Sequence, residues 1–189
     1  MAPSAPSAEA CLGVVLAGGQ SRRMGQDKAL LDWQGRSLID HARQRFADAG
    51  IAESVVSGDR PEHGGIPDQH RGEGPLAGLL AVAEAYAGRR LLVVPVDMPC
   101  LPAAWLARLA AASPSDCALH YDGYPLPLRI DATLDLRRQL TAWLDDPAGP
   151  RALKHLLRAL DAGTIPPPTP SGLEFDNANT PEDWARINA

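Results

Sequence analysis

Two short, uninterrupted apolar runs constrain the fold of this 189-residue chain more than any other feature. Residues 11–16 read CLGVVL and residues 91–96 read LLVVPV. Apolar residues at consecutive rather than alternate positions are typical of strands with both faces buried, and such strands belong to mostly parallel sheets covered by helices. Neither run approaches the ~20 apolar residues that a membrane-spanning helix requires. The runs therefore predict the central strands of an α/β protein.

Helical patterns and a further strand separate and follow these runs. The segments that predict helices have apolar residues at helical spacing or a proline at the helix start, and they are 37–50, 75–88 and 102–112. The sequence ESVVSG at 53–58 predicts one more short strand. Strands that alternate with helices form βαβ units, and these units build a parallel sheet.

The second half of the chain departs from this alternation. Residues 117–123 and 124–130 predict two strands around a turn at Asp122 and Gly123. Beyond them, residues 133–146 and 150–163 predict two amphipathic helices. Residues 165–172 predict a proline-rich linker, and residues 173–188 predict a C-terminal unit of short strand, polar turn and helix. Thr180 is placed to cap the last helix.

Together these elements predict an α/β fold, a single three-layer α/β/α domain with a mostly parallel sheet between two layers of helices. We assign residues 11–189 to this domain. Residues 1–10, MAPSAPSAEA, are small, proline-rich and uncharged up to Glu9, and we expect a disordered lead-in there. The same residues lack the basic and apolar regions of a signal peptide.

Net charge and cysteine usage disfavour several classes of function. With a net charge of -5, the chain has no basic excess for neutralising nucleic-acid phosphates. Its three cysteines, Cys11, Cys100 and Cys117, are widely spaced and form no CxxC pair, so neither a disulfide framework nor a zinc site is favoured. We therefore expect a cytoplasmic protein that binds neither nucleic acid nor membranes.

The first apolar run opens into a loop rich in glycine and positive charge, LAGGQSRRMGQDKALL at 16–31. Gly18 and Gly19 have no Cβ, so a phosphate or a base can come close to their backbone N–H groups. Two arginines, Arg23 among them, and Lys28 add positive charge that suits a triphosphate. The loop matches neither GxxxxGK[ST] nor GxGxxG. A plain strand-to-helix turn with solvated cations is the alternative, but strand, glycines and cations in combination favour phosphate binding.

Asp97 directly follows the second apolar run. Ligands of open parallel sheets bind beyond the carboxyl ends of the strands, and a carboxylate there can hold Mg²⁺ together with phosphate oxygens. The alternative is that Asp97 caps the helix that begins near Pro102 or forms a local turn. The glycine loop on the other apolar run makes metal binding the favoured hypothesis.

The segment 16–31 resembles the signature of the molybdenum cofactor guanylyltransferases, the molybdopterin-guanine dinucleotide biosynthesis protein A family. Three further segments continue the resemblance in the same order, namely GPLAGL at 74–79, PVDMPCLP at 95–102 and NANTPED at 177–183. The resemblance is weak between about residues 113 and 172. It implies the nucleotidyltransferase version of the α/β/α fold.

The resemblance also implies a reaction and its participants. Such a nucleotidyltransferase transfers GMP from GTP to the terminal phosphate of molybdopterin or molybdenum-molybdopterin, releases pyrophosphate and forms the molybdopterin guanine dinucleotide cofactor. Mg²⁺ is the implied cofactor. GTP and molybdopterin or molybdenum cofactor are the implied partners, and molybdoenzyme chaperones are a further class of partner that this function admits.

Individual residues acquire roles from the same resemblance. Arg23, Lys28 and Asp97 would be catalytic, and Asp97 would bind the metal ion. Asn177 or Asn179 would approach the metal or the pterin phosphate. The implied nucleotide-binding residues are Leu16, Ala17, Gly18, Gly19, Lys28, Ser57, Asp68, Gly74, Pro75, Leu76 and Asp97.

Two positions depart from the family pattern. Ser57 stands where relatives usually carry an asparagine that helps to bind the nucleotide. Leu126 stands where they tend to carry a polar residue. The first departure bears on nucleotide contacts, and the second bears on recognition of the pterin.

Three other functions are open on the sequence alone. Cytidylyl transfer to the same cofactor is the nearest, but those relatives have LAAG in place of LAGG and lack GPLAG. A sugar-1-phosphate nucleotidyltransferase would tend to be longer and to open with more glycines. A non-catalytic nucleotide-binding partner in molybdoenzyme maturation could lose Lys28 or Asp97, and this chain keeps both.

Overall fold

A mostly parallel sheet forms the centre of the computed structural model, which describes residues 11–18, 27–70, 72–113, 116–168 and 172–188. The predicted lead-in at 1–10 lies outside these ranges, and so do Gly19 and Arg23. The assignment of residues 11–189 to one domain stays a prediction.

Within the described ranges the central sheet has six strands. Across the sheet they are β4 (Ser54–Ser57), β1 (Cys11–Leu16), β5 (Arg90–Pro95), β7 (Tyr124–Asp131), β6 (Ala118–Tyr121) and β8 (Gly163–Ile165). β1 pairs in parallel with β4 and β5, and β6 pairs in parallel with β8. β7 is antiparallel to both of its neighbours. Its pairing with β6 follows from the tight turn predicted at Asp122 and Gly123. The sheet is therefore mostly parallel, as predicted.

Helices cover both faces of this sheet. They are α1 (Leu38–Asp48), α2 (Pro75–Ala85), α3 (Ala103–Ala111), α4 (Leu134–Asp145), α5 (Leu153–Ala159) and α6 (Pro181–Ile187). α1 and α3 pack on one face, whereas α2, α4 and α5 pack on the other. No helix in the described part of the chain combines the length and apolarity needed to cross a membrane. The three-layer α/β/α architecture is thus confirmed.

Alternate residues of β1 supply the two cores. Leu12 and Val14 are fully buried against the layer of α2, α4 and α5. Cys11 and Val15 are buried against α1 and α3. Because each face removes apolar side chains from water, both layers of helices are needed to stabilise the strand.

The close packing of α1 on β1 depends on Gly13. A Cβ at this position would lie 2.7 Å from ring carbons of Phe46, which is fully buried in α1. A glycine therefore lets the aromatic ring lie directly on the strand backbone. This contact fixes α1 against the strand that leads into the glycine loop.

A small third core connects the glycine-loop segment with the C-terminus. A hairpin of β2 (Asp32–Trp33) and β3 (Arg36–Ser37) precedes α1, and Trp33 packs against Trp184 of α6 with 5.7 Å between ring centroids. Leu31, Leu38, Ala178 and Ile187 complete the cluster. No sequence pattern predicted this hairpin, which separates the loop from the first long helix.

Two C-terminal predictions were wrong in detail. The helix predicted at 150–163 ends near Ala159, because Asp161 adopts a left-handed conformation (φ +47°) and the Ala162 N–H donates to the Leu157 carbonyl at 2.9 Å. The chain after this cap forms β8, a strand that was not predicted and that ends at Ile165, the first residue of the expected linker.

The short strand predicted near residue 173 is a turn. The Asp176 N–H donates to the Leu173 carbonyl at 3.0 Å, and the Phe175 ring stacks on Tyr124 at 3.5 Å between centroids. The apolar character that suggested a strand instead serves this aromatic contact. The predicted Thr180 cap of the last helix is confirmed, since its side chain accepts from the Asp183 N–H.

Replacing Gly13 by alanine tests the packing of α1 on β1. We expect Gly13→Ala to lower the free energy of unfolding by about 1–3 kcal/mol, because the new methyl group overlaps the Phe46 ring. Urea unfolding followed by circular dichroism measures this change. Phe46→Leu also destabilises, by leaving space, but the double variant should lose less than the sum of the two single losses. Additive losses would show that the two residues do not share this contact.

Candidate active site

Three loops meet at one edge of the sheet because β4, β1 and β5 run in parallel. Leu16 is in register with Ser57 on one side and with Pro95 on the other. The Ala17 N–H donates to the Ser57 carbonyl at 2.9 Å, and the Val96 N–H donates to the Leu16 carbonyl at 3.1 Å. The carboxyl ends of the three strands therefore form the floor of the candidate site, as is usual in open parallel sheets.

Glycines allow two of these loops to touch through their backbones. Gly58 has φ +131°, and a Cβ there would lie 2.9 Å from the Gly18 nitrogen. The Cβ position of Gly18 itself is 3.7 Å from Asp68 Oδ2, so this carboxylate lies beside the glycine loop. The structure thus brings Ala17, Gly18 and Asp68 together, and their contact with a nucleotide stays a prediction.

Lys28, Asp97 and Asn179 converge from three distant parts of the chain. Lys28 Nζ donates to Asn179 Oδ1 at 2.6 Å and lies 3.4 Å from Asp97 Oδ2. The Asp97 carbonyl accepts the Ala178 N–H at 2.9 Å, which fixes the C-terminal segment beside β5. Asn177 belongs to the same turn, and its carbonyl accepts the Asn179 N–H at 3.0 Å. A cation, a carboxylate and amide groups therefore share one point at the floor of the site.

Burial gives the Asp97 carboxyl an unusual electrostatic environment. Its side chain is only 19% exposed, and desolvation raises the pKa of Asp97 above its ordinary value. The Lys28 ammonium, whose side chain is 15% exposed, acts in the opposite direction by favouring the ionised form. The carboxylate is thus a buried negative charge that a neighbouring cation stabilises.

The loop that carries Asp97 is anchored from α1. His41 is buried in α1, and its Nε2 hydrogen-bonds to the Pro99 carbonyl at 2.9 Å. Burial lowers the pKa of His41. Because a carbonyl oxygen can only accept, Nε2 is the donor in its contact with Pro99. A rigid helix therefore positions the loop two residues after the carboxylate.

Asp97 is suited to hold a magnesium ion whose remaining ligands would come from water and from a substrate. In the described residues, no group of three or more His, Cys, Asp or Glu side chains could form a closed metal site. Mg²⁺ does not need one, since it commonly takes one or two carboxylates and completes its shell with water and phosphate oxygens. The buried charge of Asp97, already paired with an ammonium, is of the kind that such a cation would stabilise.

The opposite side of the floor is built by the start of α2. Gly74 (φ +80°) and Pro75 are exposed at the helix start, whereas Leu76 is fully buried in the core. Any contact between Leu76 and a nucleotide would therefore go through its backbone. The three residues singled out by sequence thus occupy two different environments.

Ser57 lies beneath α2 with its hydroxyl directed at Gly78. A Cβ at Gly78 would lie 2.4 Å from Ser57 Oγ, so glycine is needed there. Ser57 is 1% exposed, and within the described residues its Oγ has no hydrogen-bond partner. Position 57 therefore holds a small, fully buried polar side chain that lies under α2.

An aromatic cluster borders the site on the side of the antiparallel strand. Tyr124, at the start of β7, stacks on Phe175, and Trp105 and Tyr121 pack around them. Trp105 is 8% exposed and belongs to the core on the side of α1 and α3. Leu126 is half-buried on the same strand. The segment with weak family resemblance therefore forms one wall of the site.

Sequence reasoning missed two arginines that organise the site. Arg60 pairs with Asp27 and also donates to the Ala17 carbonyl. Arg151 pairs with Glu73, immediately before the exposed start of α2. Each arginine lies in a loop, and its partners are distant in sequence or are backbone carbonyls. No periodicity or short motif could have identified them.

Comparison with known proteins identifies the family. The family model described as MobA-like NTP transferase domain matches residues 13–163. The chain is 46% identical over 177 residues to a molybdenum cofactor guanylyltransferase from Xanthomonas euvesicatoria pv. vesicatoria, covering 93% of each chain. It is 35% identical to one from Shewanella amazonensis, covering 93% of this chain and 94% of that one.

The fold is also shared with a solved structure. The molybdopterin-guanine dinucleotide biosynthesis protein A from Archaeoglobus fulgidus superposes with a TM-score of 0.75 at 22% identity, covering 94% of this chain and 96% of that one. At this identity the likeness concerns the nucleotidyltransferase fold alone. The family assignment comes from the sequence relatives, and it agrees with the convergence of Lys28 and Asp97 at the strand ends. The chain belongs to the molybdenum cofactor guanylyltransferase family of MobA-like nucleotidyltransferases.

Proposed function

We propose that the protein transfers GMP from GTP to the terminal phosphate of molybdopterin or molybdenum-molybdopterin. A phosphate oxygen of the pterin forms a bond to the α-phosphorus of GTP. The bond between that phosphorus and the α–β bridging oxygen breaks, and pyrophosphate leaves with the electron pair. The single observation that carries the proposal is the convergence of Lys28, Asp97 and Asn179 beside the glycine backbone.

Positioning and charge neutralisation are the main requirements of this reaction. Two anionic phosphates must meet in line, and their repulsion must be offset. Lys28 supplies a positive charge at the floor of the site, and Gly18 presents a backbone with no side chain in front of it. Arg23 and Gly19 would add a further cation and a further backbone donor. No general base is needed, because a phosphate monoester is largely ionised near neutral pH.

Asp97 is the residue proposed to hold Mg²⁺. When bound, the ion would neutralise phosphate charge as the leaving pyrophosphate departs. Asp97 is suited to this role because it lies at the strand end within 3.4 Å of the ammonium that would face the same phosphates. Asn179 positions that ammonium through its 2.6 Å hydrogen bond. Asn177 lies in the same turn as Asn179 and is proposed to face the pterin or the metal.

Selection of guanine is proposed for the exposed start of α2. Gly74 and Pro75 leave the backbone open to a flat base, and Asp68 lies near the glycine loop on the same side. The guanylyltransferase names of the relatives support GTP over CTP. A cytoplasmic location and association with molybdoenzyme chaperones are part of the same proposal and rest on the family alone.

Replacing Asp97 by asparagine separates catalysis from stability. We expect Asp97→Asn to lower pyrophosphate release from GTP and molybdopterin by about 100-fold or more, because the proposed metal ligand loses its charge. We expect the protein to remain folded. The matched control is Asp135→Asn, which removes a carboxylate that is 93% exposed on α4 and should leave turnover unchanged. Normal turnover in Asp97→Asn would refute the metal assignment.

The raised pKa of Asp97 predicts that Asp97→Asn also changes how the stability of the protein depends on pH. Because burial raises the pKa of Asp97, the wild-type protein loses stability as pH rises from the ordinary aspartate value through the raised one. Asp97→Asn lacks this loss. In metal-free buffer its melting temperature should therefore exceed that of the wild type near neutral pH, and the difference should vanish in acid. A melting temperature below the wild type near neutral pH would contradict the raised pKa.

Lys28 and Lys154 form a matched pair for testing the phosphate site. Lys28 is half-buried at the strand ends, whereas Lys154 is exposed on α5. We expect Lys28→Ala to weaken GTP binding by about tenfold or more in calorimetric titration, since it removes a charge-assisted contact. Lys154→Ala should bind GTP as the wild type does. Equal affinities of the two variants would mean that Lys28 has a structural role only.

A further inference from the structure

A single side chain connects the two ends of the glycine loop. Arg60 Nε and Nη2 donate to the Ala17 carbonyl at 3.3 Å and 3.2 Å. Arg60 Nη2 also donates to Asp27 Oδ1 at 2.8 Å, and Nη1 pairs with Asp27 Oδ2. Ala17 directly precedes the paired glycines, and Asp27 directly precedes Lys28. The guanidinium therefore fixes both the point where the loop leaves β1 and the point where the loop ends, at Asp27.

Asp27 passes this constraint on to Lys28. Its Oδ1 accepts the Ala29 N–H at 3.1 Å and so caps the short 3₁₀ turn of Lys28–Leu30. The hydrogen bond from Arg60 is the largest cause that lowers the pKa of Asp27, which keeps the cap ionised. The backbone of Lys28 is thereby fixed relative to Ala17. Its ammonium then lies where it meets Asp97 and Asn179.

Arg60 is itself held rigidly by the loop after β4. The Gly65 N–H donates to the Arg60 carbonyl at 2.8 Å, and a Cβ at Gly65 would lie 2.8 Å from Arg60 Cβ. The Gly58 N–H donates to the Ile66 carbonyl at 2.8 Å and closes the same loop. The Arg60 side chain is only 16% exposed. The single guanidinium group of Arg60 hydrogen-bonds to protein acceptors and is largely shielded from solvent.

We infer that Arg60 is a positioning residue for the nucleotide site. By fixing Ala17 and Asp27, it sets the separation between the glycine backbone and the Lys28 ammonium, so that both can engage one triphosphate. This inference rests on the proposed function. It assigns Arg60 no contact with the substrate, because the guanidinium makes four hydrogen bonds to Ala17 and Asp27.

The planar fork of arginine is essential to this role. One guanidinium reaches a carbonyl on one side and both oxygens of a carboxylate on the other. An ammonium is a compact point charge and cannot span both acceptors in this way. Preorganisation of this kind increases affinity because the bound arrangement is present before the ligand arrives.

A second half-buried arginine, Arg90, provides a matched control. Arg90 Nε and Nη2 donate to the two carboxylate oxygens of Asp131 at 2.7 Å and 3.0 Å, at the opposite end of β5 from Asp97. The exposed fractions are 14% and 28% for this pair, against 16% and 33% for Arg60 and Asp27. Arg60→Met and Arg90→Met should therefore lower the melting temperature by similar amounts. Only Arg60→Met should weaken nucleotide binding, because only Arg60 has the proposed positioning role.

The test is calorimetric titration of these variants with GTP and Mg²⁺. We expect Arg60→Met to raise the dissociation constant by about tenfold or more, since misplacement of a binding group by ~1 Å is costly. Arg60→Lys should recover little of this loss. Arg90→Met should bind as the wild type does. If Arg60→Met and Arg90→Met both bind GTP as tightly as the wild type, this inference is wrong while the proposed function stands.

A double variant distinguishes positioning from direct contact. If Arg60 acts through Lys28, then Arg60→Met combined with Lys28→Ala should bind GTP no more weakly than Lys28→Ala alone. Fully additive losses would assign Arg60 an independent contact with the nucleotide and would overturn the inference. Failure of the wild-type protein to bind GTP would instead refute the proposed function, and this inference with it.

Asp27→Asn keeps the test available if Arg60→Met does not fold. This variant retains an oxygen for the Ala29 cap but weakens the pair with Arg60. We expect weaker GTP binding that is again non-additive with Lys28→Ala. An unchanged dissociation constant in folded Asp27→Asn would also overturn the inference.

Discussion

Parallel pairing of β1 with both β4 and β5 is the constraint on which the rest of the site depends. The pairing brings the carboxyl ends of three strands to one edge, where Leu16 stands between Ser57 and Pro95. Each loop then leaves the sheet at the same level, and the contact between Gly18 and Gly58 becomes possible. Helices cover both faces of the sheet, so in the described residues a ligand would approach these strands at the edge where the three loops leave them.

The charges at this edge lower the stability of the fold but suit the site to the proposed reaction. A buried carboxylate at Asp97 costs free energy, as its raised pKa indicates, and Lys28 offsets only part of that cost. Asn179 and Arg60 add polar contacts whose main effect is to hold the ammonium in place. The site proposed to bind anionic phosphates thus retains its charges in a low-dielectric environment, where they act most strongly.

The sequence predicts the central strands and the longer helices because their patterns extend over enough residues to be recognised. Two-residue strands such as Asp32–Trp33 have no periodicity, and the end of α5 depends on the left-handed conformation of Asp161. The approach of Asn179 to Lys28 joins positions 151 residues apart, so only family resemblance could suggest it. Arg60 carries no such signal, because one of its acceptors is a backbone carbonyl.

The most direct measurement is product formation by the purified protein from molybdopterin, Mg²⁺ and an equimolar mixture of GTP and CTP. The account predicts pyrophosphate and the guanine dinucleotide as products, with little cytosine dinucleotide, and loss of both products when a chelator removes divalent cations. Predominant formation of the cytosine dinucleotide would contradict guanine selection at the start of α2. Binding of GTP without any product would contradict catalysis and would assign the chain to nucleotide-binding partners of molybdoenzyme maturation.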